Sequence, residues 1–203
     1  MIVRIPRSQK RKELTMNAPI DISHVTLKTE RLLLRPWRQS DLADFNAYAS
    51  VDGVGQMAGW TPHKSMEESQ EILDRFISKK RTFAIEYEGR AIGSLGIEEY
   101  NAEKLTELAP LRCREIGFVL AKEHWGKGLM PEAVRAVLCY LFREVGLDAV
   151  VCSHYDWNLR SARVQAKCGF LPYREGTQES RIDGSLQHIK INLLRREQYL
   201  ENQ

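Results

Sequence analysis

Patterns for membrane insertion and metal binding are missing from this sequence. No apolar run approaches the roughly 18 residues that a membrane-spanning helix requires, and no Cys-x-x-Cys pair or His–Cys cluster has zinc spacing. The four cysteines are Cys113, Cys139, Cys152 and Cys168, and each lies among core-like residues. We therefore expect no membrane partner, no metal, and reduced, buried cysteines in a cytoplasmic protein.

A strong charge of one sign is also missing, because the formal net charge is only +3. Residues 1–15 hold five basic side chains against one acid, without the apolar centre of a secretory signal. They also lack the aromatic residues that stack on bases, so a nucleic-acid partner is disfavoured. We interpret residues 1–24 as a basic, poorly ordered leader, with an RNA-binding arm as the alternative.

The remaining chain alternates between strand and helix patterns. Helix starts are predicted at Ser40, at the Ser65–Glu68 capping box, and at Asn158. Hairpin turns are predicted at 88–90 and 183–184. The order of elements predicts one α/β domain around a mixed sheet.

Two glycines around a lysine precede the strongest helix pattern, at "WGKGLMPEAV". The N-terminus of a helix attracts anions, and residues without a Cβ let the backbone approach them closely. Neither the P-loop spacing nor G-x-G-x-x-G is present, which disfavours a nucleoside triphosphate and a dinucleotide. The pattern favours a different cofactor that carries a pyrophosphate.

The segment "REIGFVLAKEHWGKGLMPEAV", followed by "NLRSARVQAKCGF", resembles the acyl-CoA-binding core of the Gcn5-related N-acetyltransferases. The opening "KTERLLLRPWRQSDL" is similar to the RimJ/RimL-type subgroup, which acetylates the N-termini of ribosomal proteins. The resemblance covers roughly residues 25–198. It implies one N-acetyltransferase domain over residues 25–198 with the acyl-CoA N-acyltransferase fold, which has a mixed, mostly antiparallel central sheet flanked by helices. It also implies acetyl-CoA as co-substrate.

The resemblance assigns cofactor contacts to three segments. They are Phe118, Val119 and Leu120 on a strand edge, then Trp125, Gly126, Lys127, Gly128, Leu129 and Met130 in the loop, and Asn158, Ser161 and Lys167 on the following helix. The family loop pattern, Gln/Arg-x-x-Gly-x-Gly/Ala, is placed on residues 125–130. Trp125 and Met130 then depart from it.

The same resemblance implies direct attack of an amine on the thioester. Gln165 occupies the position where a tyrosine often protonates the leaving thiolate, so Ser161 is the remaining candidate acid. Glu115 and Glu179 are the candidate general bases, and a strand N–H, such as that of Val119, is the candidate oxyanion donor.

The acceptor is predicted to be a primary amine, either a protein N-terminal α-amine or a small molecule such as a polyamine, antibiotic or amino acid. The loop 51–64 and the arms at 173–195 are expected to line its site. The loop segment "GVGQMAGW" has no dense acidic cluster for a polycation, which disfavours polyamines. A non-catalytic module that senses acyl-CoA is the other alternative, because Gln165 replaces the tyrosine. The protein is expected to be a monomer or a homodimer.

Overall fold

The computed structural model describes residues 17–201, which form one eight-stranded sheet with helices on both faces. The strands are β1 (Leu27–Lys28), β2 (Leu32–Pro36), β3 (Thr82–Tyr87), β4 (Arg90–Glu98), β5 (Cys113–Leu120), β6 (Ala149–Tyr155), β7 (Leu171–Glu179) and β8 (Leu186–Arg195). Their order across the sheet is β1-β2-β3-β4-β5-β6-β8-β7. Only the β5–β6 pair is parallel, which confirms the predicted mixed, mostly antiparallel sheet.

Five α-helices cover the sheet, and short 3₁₀ turns connect several elements. The helices are α1 (Leu42–Ala49), α2 (Met66–Lys79), α3 (Leu129–Tyr140), α4 (Leu159–Lys167) and α5 (Arg196–Glu201). The Ser65 side chain caps α2 by accepting the Glu68 amide at 3.2 Å, as the sequence predicts. Ser40 caps nothing, because a 3₁₀ turn over Gln39–Asp41 precedes α1 and places Asp41 at its N-cap.

Side chains that alternate along the central strands build two hydrophobic clusters. One cluster joins Ile116 of β5 and Val150 of β6 to Val137 of α3, all fully or almost fully buried. The other joins Cys113 and Val151 on the opposite face to residues of β8. Because burying one such aliphatic side chain stabilises the fold by about 1.5–3 kcal/mol, these clusters hold β5 and β6 firmly where they pair.

The domain begins before the boundary expected from the sequence. Ala18 and Ile22 are buried, and the Ile22 amide donates to the Lys80 carbonyl at 2.8 Å. Residues 17–24 therefore pack against the sheet, although the sequence analysis assigned them to the leader. Residues 1–16 lie outside the described residues. At the other end, Tyr199 of α5 stacks on Phe142, so packing continues past residue 198.

The cysteines differ from the prediction at one position. Cys113, Cys152 and Cys168 are buried free thiols, and burial raises the pKa of each, to about 12 for Cys113 and about 11 for Cys168. Cys139 is exposed on the outer face of α3. Across residues 17–201, no helix is long and apolar enough to cross a membrane.

Candidate active site

The sheet opens between its two parallel strands. Register pairs join β5 and β6 only from Cys113–Ala149 to Glu115–Val151. Beyond that point β5 continues along β4 to Leu120, while β6 continues along β8 to Tyr155. The facing edges therefore diverge, and an extended ligand can pair with one of them as an added strand.

The alternation of backbone groups decides which residues of β5 face this opening. The amide of Ala121, the residue after β5, donates to the carbonyl of Ile92 in β4 at 2.8 Å. Backbone direction alternates along an antiparallel strand, so the N–H and C=O groups of Val119 also point toward β4. The backbone N–H and C=O groups of Phe118 and Leu120 point toward the opening. This corrects the choice of Val119 as oxyanion donor, since its N–H belongs to the β4 ladder.

The glycine loop lies exposed at the end of the opening. Gly126 and Gly128 have φ of 78° and 79°, a left-handed conformation that favours glycine. A Cβ at Gly126 would meet no atom within 4 Å, so space in front of this backbone is open. The amides of Leu129 and Met130 belong to the first turn of α3, which has no intrahelical acceptors. The loop therefore fits a pyrophosphate.

These geometries place the family loop pattern two residues earlier than the sequence analysis did. The two left-handed positions are Gly126 and Gly128, so they match the two small residues of the pattern. Glu123 then takes the polar position. Met130 is 6% exposed and packs in the core as part of α3, so its side chain does not narrow the loop.

Arg31, Thr29 and Glu132 form a brace that fixes the glycine loop to the residues before β2, and the sequence analysis did not predict it. Arg31 donates to the Lys127 carbonyl at 3.0 Å and forms an ion pair with Glu132 at 2.6 Å. Thr29 donates to the same carboxylate at 2.6 Å. Burial would raise the pKa of Glu132, but the hydrogen bonds from Thr29 and Arg31 outweigh it and lower the pKa. The opening motif "KTERLLLRPWRQSDL" contains both donors, so a signal was present.

Exposed cations lie in the glycine loop and on α4. The guanidinium of Arg160, in the first turn of α4, lies 4.7 Å from the ring centroid of Trp125. The indole N–H of Trp125 donates to the Leu120 carbonyl at 2.8 Å. Lys127 is exposed in the loop, and Lys167 is exposed at the far end of α4. Trp125, Lys127 and Lys167 belong to motifs recognised in the sequence, whereas Arg160 has no distinguishing local pattern.

Asn158 joins α4 to the loop over residues 51–64. Its side-chain oxygen accepts the Ser161 amide at 3.1 Å, which confirms the predicted N-cap. Its side-chain nitrogen donates to the Met57 carbonyl at 2.9 Å. Because the side chain is buried and both of its polar groups are engaged, Asn158 acts as a structural tether in this structure.

The two candidate bases have different surroundings. Glu115 is half-buried at the point where the strands diverge, and burial raises the pKa of its carboxyl. A hydrogen bond with Ser153 opposes that shift, and the nearby charge of Glu98 reinforces it. Glu179 is exposed at the end of β7. The geometry therefore favours Glu115.

A cavity of about 130 Å³ lies between the 51–64 loop and the β7–β8 hairpin. It is lined by Gln56, Tyr155, Trp157, Ser180, Ile182, Asp183 and Gln187. Tyr155 and Trp157 stack with ring centroids 5.1 Å apart. Asp183 is the acidic residue of the lining, and hydrogen bonds with Ser185 and Ser180 lower its pKa. The surface combines a planar aromatic wall with one carboxylate.

A sheet that opens beside a glycine loop and a capped helix is the architecture of an acyl-CoA-dependent acyltransferase. Residues 31–171 match the family model described as "Acetyltransferase (GNAT) domain", so the chain belongs to the GNAT family. This family uses acetyl-CoA, and the chain is an N-acetyltransferase. The non-catalytic module considered in the sequence analysis is thereby set aside.

Three known proteins illustrate the similarity. The uncharacterized N-acetyltransferase YoaA of Bacillus subtilis (strain 168) is 30% identical over 151 residues, which are 71% of this chain and 81% of that protein. Spermidine N(1)-acetyltransferase of Vibrio cholerae is 25% identical over 175 residues, covering 84% and 96% respectively. A GNAT-family acetyltransferase structure from Bacillus anthracis has a TM-score of 0.73 at 22% identity, covering 85% and 99%.

Proposed function

We propose that this enzyme transfers the acetyl group of acetyl-CoA to the N-terminal α-amine of a protein or peptide by direct attack. The divergence of β5 and β6 beside an exposed glycine loop is the observation that supports acetyl transfer. The resemblance of the opening motif to the RimJ/RimL-type subgroup supports the choice of acceptor.

The loop residues Gly126–Gly128 and the first-turn amides of α3 would hold the pyrophosphate. Lys127 and Arg160 would add positive charge beside it. The open edge of β5 at Phe118 and Leu120 would pair with the pantetheine arm, and the Phe118 N–H is the best-placed oxyanion donor. Acetyl-CoA itself supplies the activated thioester.

Glu115 would remove the proton of the attacking amine, directly or through water. An α-amine has a pKa near about 8 and a lysine amine near about 10.4, so the α-amine needs less help at neutral pH. A carboxylate whose pKa is raised by burial is a better base than an exposed one. Ser161, at the start of α4, would donate a hydrogen bond to the leaving sulfur.

The cavity beside Tyr155 and Trp157 would receive the first side chains of the acceptor. Its stacked aromatic wall suits an apolar or planar side chain, and the carboxylate of Asp183 suits a single positive charge. A small-molecule polyamine is the second candidate, because a spermidine N(1)-acetyltransferase aligns over 84% of the chain.

Calorimetry with acetyl-CoA, followed by thiol release over an amine panel, tests this proposal. The panel contains peptides with different N-terminal residues, their N-terminally blocked forms, free amino acids and spermidine. We expect release with free peptide N-termini and none with blocked peptides. Faster release with spermidine than with every peptide would favour the second candidate, and no binding of acetyl-CoA would reject the site.

A further inference from the structure

A buried amide network lies directly behind Ser161. Gln165 of α4 is fully buried, and its side-chain nitrogen donates to the Ser161 hydroxyl oxygen at 3.1 Å. The same nitrogen lies 3.4 Å from the Ser153 carbonyl, which it also donates to. The side-chain oxygen of Gln165 accepts from Asn192 of β8 at 2.7 Å. All the hydrogens and the oxygen of this amide are therefore engaged within the domain.

The network fixes which way the Gln165 amide faces. The Ser153 carbonyl can only accept a hydrogen bond, so it requires the amide nitrogen on its side. Asn192 offers its own N–H to the opposite end, where only the amide oxygen can accept it. A reversed amide would place oxygen against oxygen at Ser153 and nitrogen against nitrogen at Asn192. Both mismatches would leave buried polar groups unsatisfied, so the observed direction is strongly preferred.

The network also lies on the rim of the opening. The amide of Asp156, the residue after β6, donates to the carbonyl of His188 in β8. The backbone groups of Asp156 therefore point toward β8. By the alternation of backbone groups along β6, the Ser153 carbonyl faces the opposite side, toward β5. Ser153 comes after Val151, the last residue of β6 that pairs with β5. Gln165 therefore binds an edge carbonyl that β5 has left unpaired.

This geometry assigns a direction to the Ser161 hydroxyl. Its oxygen accepts a hydrogen bond from Gln165, and no residue in the described range 17–201 accepts the hydroxyl proton. A hydroxyl that accepts from a fixed donor keeps its own proton free for another partner. The half-buried Ser161 can thus present an O–H to a negatively charged atom in the opening.

We propose that Gln165, held by Asn192, is a positioning residue that orients the Ser161 hydroxyl as a hydrogen-bond donor to the leaving thiolate. This inference rests on the proposed acetyl transfer and explains why a glutamine suffices where the family often has tyrosine. The amine nitrogen forms a bond to the carbonyl carbon, the carbon–sulfur bond breaks, and sulfur leaves with the electron pair. Glu115 or water takes the amine proton, and solvent returns a proton to the sulfur.

Three substitutions separate orientation from packing. Gln165→Glu keeps the shape, but its carboxylate can only accept and would turn the Ser161 proton inward. Gln165→Met fills similar space and leaves the hydroxyl without a fixed donor. Asn192→Asp does not touch Ser161, but its carboxylate favours the amide nitrogen and so reverses Gln165. Ser161→Ala removes the donor and serves as the reference.

The decisive measurement is the pKa of the CoA thiol in the complex. It is obtained by titration, with the ultraviolet absorbance of the thiolate as the signal. A hydrogen bond to a charged acceptor is worth roughly one pKa unit, so the bound thiol should be that much more acidic in the parent enzyme than in Ser161→Ala. Gln165→Glu and Asn192→Asp should resemble Ser161→Ala, with Gln165→Met in between. Calorimetric affinity for CoA and the melting temperature of each variant serve as controls.

Steady-state rates provide the second readout. Turnover with the best amine should fall about 10-fold or more in Ser161→Ala and Gln165→Glu, and the double variant should lose no more than either single one. An unchanged bound-thiol pKa in folded variants, or additive losses in the double variant, would overturn the orienting role. If the parent enzyme binds no CoA, the proposed function fails instead, and these two failures are distinguishable.

Discussion

The two sides of the opened sheet are built in different ways. The proposed cofactor side is main chain from a continuous segment, β5 followed by the glycine loop and α3. The proposed acceptor side collects side chains from the 51–64 loop, the end of β6 and the β7–β8 hairpin. A main-chain site requires residues that lack a side chain, which a sequence displays directly. A side-chain site requires only that distant residues meet, which no local pattern displays.

The largest expected effect is on the cofactor side. Gly128→Asp should weaken acetyl-CoA binding at least 100-fold, because it places a strained, negatively charged residue at a φ of 79° next to a pyrophosphate. Gly146→Asp is the matched control, since Gly146 has a similar φ of 73° and follows the π-helical turn Leu141–Val145 that continues α3. The control should lose stability and keep its affinity in calorimetry. Equal affinity losses in both variants would contradict the phosphate assignment.

Glu115→Gln should have the next largest effect, a loss of about 100-fold in kcat/KM with acetyl-CoA affinity unchanged. Because burial raises the pKa of Glu115, the base is protonated at low pH and activity should rise as the pH passes through that pKa. The variant should lose this limb of the pH profile and keep the limb that belongs to the amine. Glu179→Gln should retain full activity. A comparable loss of kcat/KM in Glu179→Gln would assign the role of general base to Glu179 instead.

The same raised pKa has a consequence for stability. The folded state binds the Glu115 proton more tightly than the unfolded state, so Glu115 contributes less stability as the pH rises from the unfolded pKa through the raised folded one. Glu115→Gln should therefore unfold at a higher urea concentration than the parent above that range. Urea denaturation of both proteins at several pH values measures this difference in midpoint. A Glu115→Gln variant that is less stable than the parent at every pH would contradict the raised pKa of Glu115.

Arg31→Met should weaken acetyl-CoA binding by about 10-fold, because it removes both the hydrogen bond to the Lys127 carbonyl and the ion pair with Glu132. Lys190→Met breaks the exposed ion pair with Glu175 and is the control, since such pairs contribute roughly 0–1 kcal/mol. Titration calorimetry compares the two. Unchanged affinity in Arg31→Met would show that the loop keeps its shape without the brace.

The smallest expected effect tests the acceptor side through Asn158. Asn158→Asp keeps an oxygen to cap α4 but cannot donate to the Met57 carbonyl. Losing that hydrogen bond should raise the KM of the acceptor about fivefold, with little change in acetyl-CoA affinity. Asn158→Ala, which loses the cap as well, should also lower the melting temperature. If Asn158→Asp raises only the Kd of acetyl-CoA and leaves the acceptor KM unchanged, Asn158 supports the cofactor site and not the acceptor site.

Local chemistry made much of the fold predictable. The Ser65 and Asn158 caps, the turn at 183–184 and the alternation of β5 all follow from rules that act within a few residues. The predicted helix start at Ser40 was wrong, because the N-cap is the neighbouring Asp41. Asp41 is held by Arg35, and a linear pattern does not reveal that contact. The exposure of Cys139 depends on which face of α3 meets the sheet.

The sequence by itself determined the α/β domain, the open glycine loop and the family, because backbone conformation and helix capping are local properties. Only the tertiary structure decided which strand amides face the opening, that Arg31 braces the loop from about 100 residues away, and that Asn192 reaches Gln165. The reason is physical. Hydrogen bonds between distant residues depend on the register and packing of the whole sheet, and these emerge only when the two hydrophobic clusters form.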